Sequence, residues 1–210
     1  LYPNVRLHAL GPPEIAHICK IDGLTHREVL IALKESGMDS LPGAGAEILN
    51  DRVRRIISTG KCSGKEWLNV MREAHKLDIT TSATMMFGHI EGIADRIHHM
   101  DLIRSKQDSV IADFGPHGGG RYMAFISWPF QPDRTPLGRV KEWGMGAGDD
   151  LADRFPGDVV AALDGTGHKE DHKEFGRRIR LAGASAYLRT QALSRLYLDN
   201  IWSIGASWVT

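Results

Sequence analysis

The sequence predicts an α/β fold of parallel strands, a slice of a larger barrel and not a closed one. Three observations lead there. Segments of strand period and of helix period alternate about five times, the pattern of parallel βα units. Two strand ends open into polar loops that carry glycine and acid, Ser40-Leu41-Pro42-Gly43-Ala44-Gly45-Ala46-Glu47-Ile48-Leu49 and Thr81-Ser82-Ala83-Thr84-Met85-Met86-Phe87-Gly88-His89-Ile90-Glu91. Finally, 210 residues fit one domain with a substantial core, whereas an eight-stranded barrel takes about 250.

Taken in order, Val5, Leu7 and Ala9 alternate with Arg6, His8 and Leu10, which predicts a strand over 5–10. Pro12-Pro13 starts a short helical turn. Thr25 and Glu28 have capping-box spacing, and Val29, Leu30 and Leu33 give the next helix its apolar face up to Gly37. A brief strand over 38–41 leads into the first loop. Ile48, Leu49, Val53, Ile56 and Ile57 recur at helical spacing, so a helix is expected over 46–57. Ser63 and Glu66 make a second capping box before an amphipathic helix ending at Leu77. A strand over 79–87 and a helix over 93–107 follow, and Gly118-Gly119-Gly120 breaks the chain before a strand over 122–128. Residues 137–172, rich in Gly and Asp with little periodicity, read as an irregular excursion. A helix over 173–198, broken near Gly183, and a strand over 201–209 complete the single domain, which is expected to be cut at both ends.

Composition narrows the function. Lys plus Arg equals Asp plus Glu, so no overall basic field invites nucleic acid. The cluster Arg52, Arg54, Arg55 reads as a solvated helix face. No apolar run approaches a membrane span and no signal-peptide pattern opens the chain. Cys19 and Cys62 are the two cysteines, too distant for a CxxC-type motif; a reducing cytoplasm with both thiols free is the expectation.

The two strand-end loops are where ligands bind in parallel α/β folds. Glycines permit unusual backbone angles and close approach, and Glu47 supplies a fixed acceptor. The alternative for each loop is ordinary turn chemistry.

Blocks along most of the chain resemble radical S-adenosylmethionine enzymes of the menaquinone and deazaflavin pathways, most closely the dehypoxanthinyl futalosine cyclases. They are His8-Ala9, Pro12-Pro13-Glu14-Ile15, residues 40–49 with Asp51-Arg52-Val53-Arg54, Glu66-Trp67-Leu68 and Arg72-Glu73-Ala74-His75. Further blocks are residues 83–91, Trp128-Pro129-Phe130-Gln131-Pro132, Tyr187-Leu188-Arg189-Thr190, Leu198-Asp199-Asn200 and Ala206-Ser207-Trp208-Val209-Thr210. Aminofutalosine synthases and the tyrosine-using deazaflavin synthase component share the same blocks. The Pro42 to Gly45 loop, Met85-Met86-Phe87 and the Trp128 to Pro132 block favour the cyclase.

The resemblance implies an incomplete (β/α) TIM-type barrel with S-adenosylmethionine and a [4Fe–4S] cluster at the carboxyl ends of the strands. It implies a small-molecule nucleoside substrate and a one-electron reductant. In the cyclase, a 5′-deoxyadenosyl radical takes a ribose hydrogen from dehypoxanthinyl futalosine, and the resulting carbon radical closes onto the benzoate ring. The protein positions and shields this chemistry. The family's C-x-x-x-C-x-x-C cluster loop does not occur here, and Cys19 and Cys62 do not replace it. No metal ligand is therefore expected in this chain, which alone is expected to be inert.

The resemblance also implies site residues. Glu47 matches the polar position after the family's fourth strand that holds the ribose or methionine part of the cofactor; as a first-turn acid it would instead serve the helix dipole. Gly43 and Gly45 let the backbone approach. His89 and Glu91 follow the fifth strand, where the cofactor pocket is shaped, or they cap a turn. Thr84 and Met86 share one strand face, lining the barrel or the core. His8, Trp128 and Gln131 are the candidates for substrate contact, with core filling the alternative for the aromatic ring. His98-His99 is assigned to surface or packing. Gly11, Arg134 and Gly205 depart from the family pattern (serine, asparagine and glutamine are usual there), which motivates the contrasting reading of a non-catalytic barrel that keeps only a ligand pocket.

Overall fold

The structure is a computed structural model describing residues 4–132, 134–135, 137 and 181–206. Among them lie helices α1 (Pro12–Asp22), α2 (His26–Glu35), α3 (Asp51–Ile57), α4 (Gly64–Lys76), α5 (Ile93–Phe114) and α6 (Ala184–Tyr197). The strands are β1 (Ser40–Leu41), β2 (Thr80–Phe87), β3 (Tyr122–Pro129) and β4 (Ser203–Ala206). All pairings are parallel and the order is β1-β2-β3-β4, so each strand lies beside the next in sequence. That order is the wall of a barrel, as the alternating periods predict.

Local chemistry explains the element ends. Thr25 caps α2 with a reciprocal box: its hydroxyl accepts from Glu28 N, and Thr25 N donates to the Glu28 carboxylate at 2.8 Å. Ser63 caps α4 by accepting from Glu66 N. Proline at the first position opens α1, and left-handed Gly23 closes it.

The two faces of the sheet differ. Thr81, Ala83, Met85 and Phe87 of β2 are buried toward the helices. His75 of α4 meets Thr81 Oγ1 at 2.8 Å, and Phe87 stacks on Tyr187 of α6. On β3, Tyr122 stacks on Trp67 of α4, Phe125 meets His99 of α5, and Ser127 accepts from Gln191 of α6. Alternation turns Ser82, Thr84 and Met86 to the opposite, inner face, and their ladder partners are Ala124, Ile126 and Trp128.

Some elements differ from expectation. Residues 5–10 form no strand; they contribute a single parallel bridge from His8 to Ser40. Asp39 N and Ser40 N both donate to Leu7 O, which ends any regular ladder. The turn expected at Pro12 is an 11-residue helix. The helix expected from residue 46 starts at Asp51, because Asn50 caps it and Leu49 N donates instead to His99 Nδ1 at 3.0 Å. Helix α5 continues past 107 to Phe114. Of the predicted excursion only Leu137 lies among the described residues, and residues 173–180 and 207–210 lie outside them; Gly183 serves as the N-cap of α6. No described helix is long and apolar enough to cross a membrane.

Candidate functional site

The carboxyl end of β1 runs into a loop held from several sides. Gly43 N donates to Ser82 Oγ at 3.0 Å, and Thr84 Oγ1 donates to Gly43 O at 2.5 Å. The approach to β2 is so close that a Cβ on Gly43 would stand 2.3 Å from Ser82 O. Gly45 has φ +73 and lies against the Pro13 ring, where a Cβ would come within 2.4 Å. Trp67 Nε1 donates to Ala44 O at 3.1 Å, and Met86 N donates to Glu47 O at 2.9 Å.

Beneath the loop lies Arg54. It donates to Gly45 O at 3.0 Å, to Ala46 O, and to Cys62 O at 2.6 Å. Its side chain is 3% exposed, which corrects the expectation of a solvated cluster; Arg55 is exposed. Burial pulls the Arg54 pKa below its ordinary value, against the attraction of nearby acids. Helical spacing carried a signal that sequence reasoning missed. Arg55 falls opposite the Val53, Ile56, Ile57 stripe, whereas Arg54 falls at its margin.

Glu47 itself adopts φ 45, a left-handed conformation uncommon for a bulky residue. Its Oε1 accepts from Lys61 Nζ at 2.8 Å. Lys61, in the connection between α3 and α4, is a second residue that the sequence did not single out.

At the end of β2, Glu91 closes a tight turn. Its oxygens accept from Gly88 N at 2.7 Å and His89 N at 2.9 Å, and Arg96 Nε donates at 2.7 Å. His89 is fully buried, with Nδ1 3.0 Å from Glu91 Oε2 and Nε2 3.1 Å from Met86 O. Burial would raise the Glu91 pKa, but the His89 and Arg96 charges and the Gly88 N–H outweigh it and hold the carboxyl at about 2. So engaged, Glu91 shapes the turn at the end of β2.

The end of β3 joins this rim. Phe130 N donates to Phe87 O at 2.7 Å, and the Phe130 ring meets His89 edge-on at 6.0 Å. Thr84, Met86 and Trp128 share the inner face, with Met86 opposite Trp128 in register. Glu47, Met86, His89 and Trp128 therefore belong to one connected rim. Gln131 follows it on an exposed segment. His8 stands apart, on the side of β1 away from β2, with Nδ1 2.7 Å from Ser40 Oγ.

A cradle at the carboxyl ends of parallel strands is where barrel enzymes place their ligands. Residues 5–103 match the Radical SAM superfamily. The chain belongs to this superfamily. It is 38% identical over 209 residues to the aminodeoxyfutalosine synthase of Thermus thermophilus, covering 100% of this chain and 44% of that protein. It is 40% identical over 137 residues to 5-amino-6-(D-ribitylamino)uracil--L-tyrosine 4-hydroxyphenyl transferase 1 of Methanosarcina acetivorans, covering 65% of this chain and 34% of that one. The corresponding transferase of Synechocystis is 41% identical over 143 residues, 68% of this chain and 36% of its own length. The chain thus spans less than half the length of these relatives.

Radical SAM enzymes use S-adenosylmethionine and a [4Fe–4S] cluster. The described residues do not fit the cluster. Among them no three His, Cys, Asp or Glu gather as a metal site, and both cysteines are free thiols. Burial raises the Cys62 thiol to about 11, which disfavours the thiolate a cluster needs. The rim does fit S-adenosylmethionine, since it offers a half-buried Met86–Trp128 pair on the inner face and, in the adjoining loop, the acceptor carboxylate of Glu47.

Proposed function

We propose that this chain carries the S-adenosylmethionine and substrate rim of a radical SAM enzyme that cyclises dehypoxanthinyl futalosine on the futalosine route to menaquinone. The observation that carries the reading is the connected rim, in which Met86 N binds Glu47 O and Phe130 N binds Phe87 O. S-adenosylmethionine, when bound, supplies the hydrogen-abstracting group. Glu47 accepts from its ribose hydroxyls or methionine ammonium, through the oxygen that Lys61 leaves open. Gly43 and Gly45 bring the backbone close, while Thr84, Met86 and the His89–Glu91 turn shape the wall. Trp128 covers a face of the nucleoside, and Gln131 offers a hydrogen bond at its edge. Together these groups orient the nucleoside and keep water from the reacting carbon. A one-electron reductant is the required partner of the complete protein.

Met85-Met86-Phe87 and the Trp128 to Pro132 block support the cyclase. A second reading, synthesis of aminodeoxyfutalosine, is supported by the similarity to the Thermus protein along the whole chain. The complete protein, with its cluster reconstituted and reductant supplied, decides between them by product analysis. Cyclic product from dehypoxanthinyl futalosine is expected. Aminodeoxyfutalosine would favour the sister activity, and tight cofactor binding without turnover would favour the non-catalytic barrel. Glu47→Gln in that protein is expected to weaken S-adenosylmethionine binding about tenfold, as loss of a charge-assisted hydrogen bond does; unchanged affinity in calorimetry would remove Glu47 from the site.

A further inference from the structure

We propose that Arg54 and Lys61 form a two-cation bracket that positions Glu47 toward the cofactor, an inference that rests on Glu47 being a cofactor contact. Consecutive carbonyls from Gly43 to Glu47 each accept from a donor outside the loop. Thr84 Oγ1 serves Gly43, Trp67 Nε1 serves Ala44, Arg54 serves Gly45 and Ala46, and Met86 N serves Glu47. Arg54 thus fixes the two peptide planes that lead into Glu47, the residue with φ 45. Its third bond, to Cys62 O, anchors the connection between α3 and α4. From the residue just before, Lys61 reaches the Glu47 carboxylate at 2.8 Å. One buried guanidinium therefore sets both the backbone that presents Glu47 and the strap whose ammonium aims it.

A guanidinium is a costly way to fill a core, since burying a charge is unfavourable unless its bonds are needed. The ion pair of Arg54 with Asp51 is long, 3.9 Å, and its short bonds all go to carbonyls. Those carbonyls belong to the loop and to the strap. Neutralising an acid is not its main work; holding two backbone segments in one geometry is.

The test uses the complete protein with reconstituted cluster, measuring S-adenosylmethionine affinity by calorimetry alongside thermal melts. Arg54→Lys is expected to bind about ten- to a hundredfold more weakly, as loss of charged hydrogen bonds to buried acceptors does. Lys61→Met is expected to bind about three- to tenfold more weakly, with its melt unchanged and with recovery in Lys61→Arg. In the double variant Lys61→Met is expected to add little, because the strap is already released. Wild-type affinity in Lys61→Met overturns the bracket, as do additive effects in the double variant, and the first of these decides even if Arg54→Lys fails to fold. Glu47→Gln separates the layers. Undiminished binding there defeats the cofactor reading itself, whereas weakened binding there with wild-type binding in Lys61→Met defeats the bracket alone.

Discussion

Glu91 ties a turn together by accepting from two successive backbone amides and from Arg96, all within a buried setting. Because folding lowers its carboxyl from the usual 4.5 to about 2, the stabilisation is complete above pH 4.5 and is lost as pH falls from there toward 2. Glu91→Gln, which removes the charge but keeps the shape, is expected to cost about 3–5 kcal/mol, the range for leaving a buried partner uncompensated. Its melting temperature should also fall less steeply than that of the wild type between pH 4.5 and 2. Parallel profiles in scanning fluorimetry would show that the carboxylate is not ionised in the fold. At this scale the sequence was partly readable. The capping reading of Glu91 needs only its own neighbours, three and two residues back. Helical spacing hinted at the burial of Arg54, but its bonds were not legible, because its partners Gly45, Ala46 and Cys62 are fixed by the tertiary path of two loops.

Element boundaries follow the same division between near and remote causes. The Thr25 box and the Ser63 cap are local hydrogen bonds, so α2 and α4 begin where the spacing predicts. The start of α3 depends on His99, 50 residues away from Leu49, and no local pattern announces it. The loop before α3 is set by its approach to β2, and Gly43→Ala tests that geometry. The added Cβ would meet backbone, Ser82 O at 2.3 Å, which cannot rotate aside. A loss of about 1–3 kcal/mol is expected from such overpacking, read as a lower denaturation midpoint with an unchanged slope. A neutral substitution would mean that the loop stands further from β2.

On the scale of the whole molecule, four parallel strands leave both edges of the described sheet without a further full strand. The inner face presents Met86, Ile126 and Trp128 half-buried, and Trp202 beside β4 is 86% exposed. The 210-residue chain produced alone is therefore expected to self-associate and to bind a hydrophobic dye, since open edges and apolar faces template contacts. A monomer by ultracentrifugation with a sharp cooperative melt would contradict this. The parallel order was legible because strand and helix periods alternate. The single bridge at residues 5–10 was not, because two amides competing for Leu7 O leave no trace in an apolar pattern.

The joint between β2 and the acid-bearing loop is main chain on both sides, Met86 N to Glu47 O. Short of a proline at position 86, no exchange of side chains abolishes that link. On the proposed reading of the rim as a nucleoside site, the side chains that greet the ligand are free to change while the acid keeps its station. Such an arrangement lets neighbouring chemistries arise from one scaffold by repainting its walls, without rebuilding the frame.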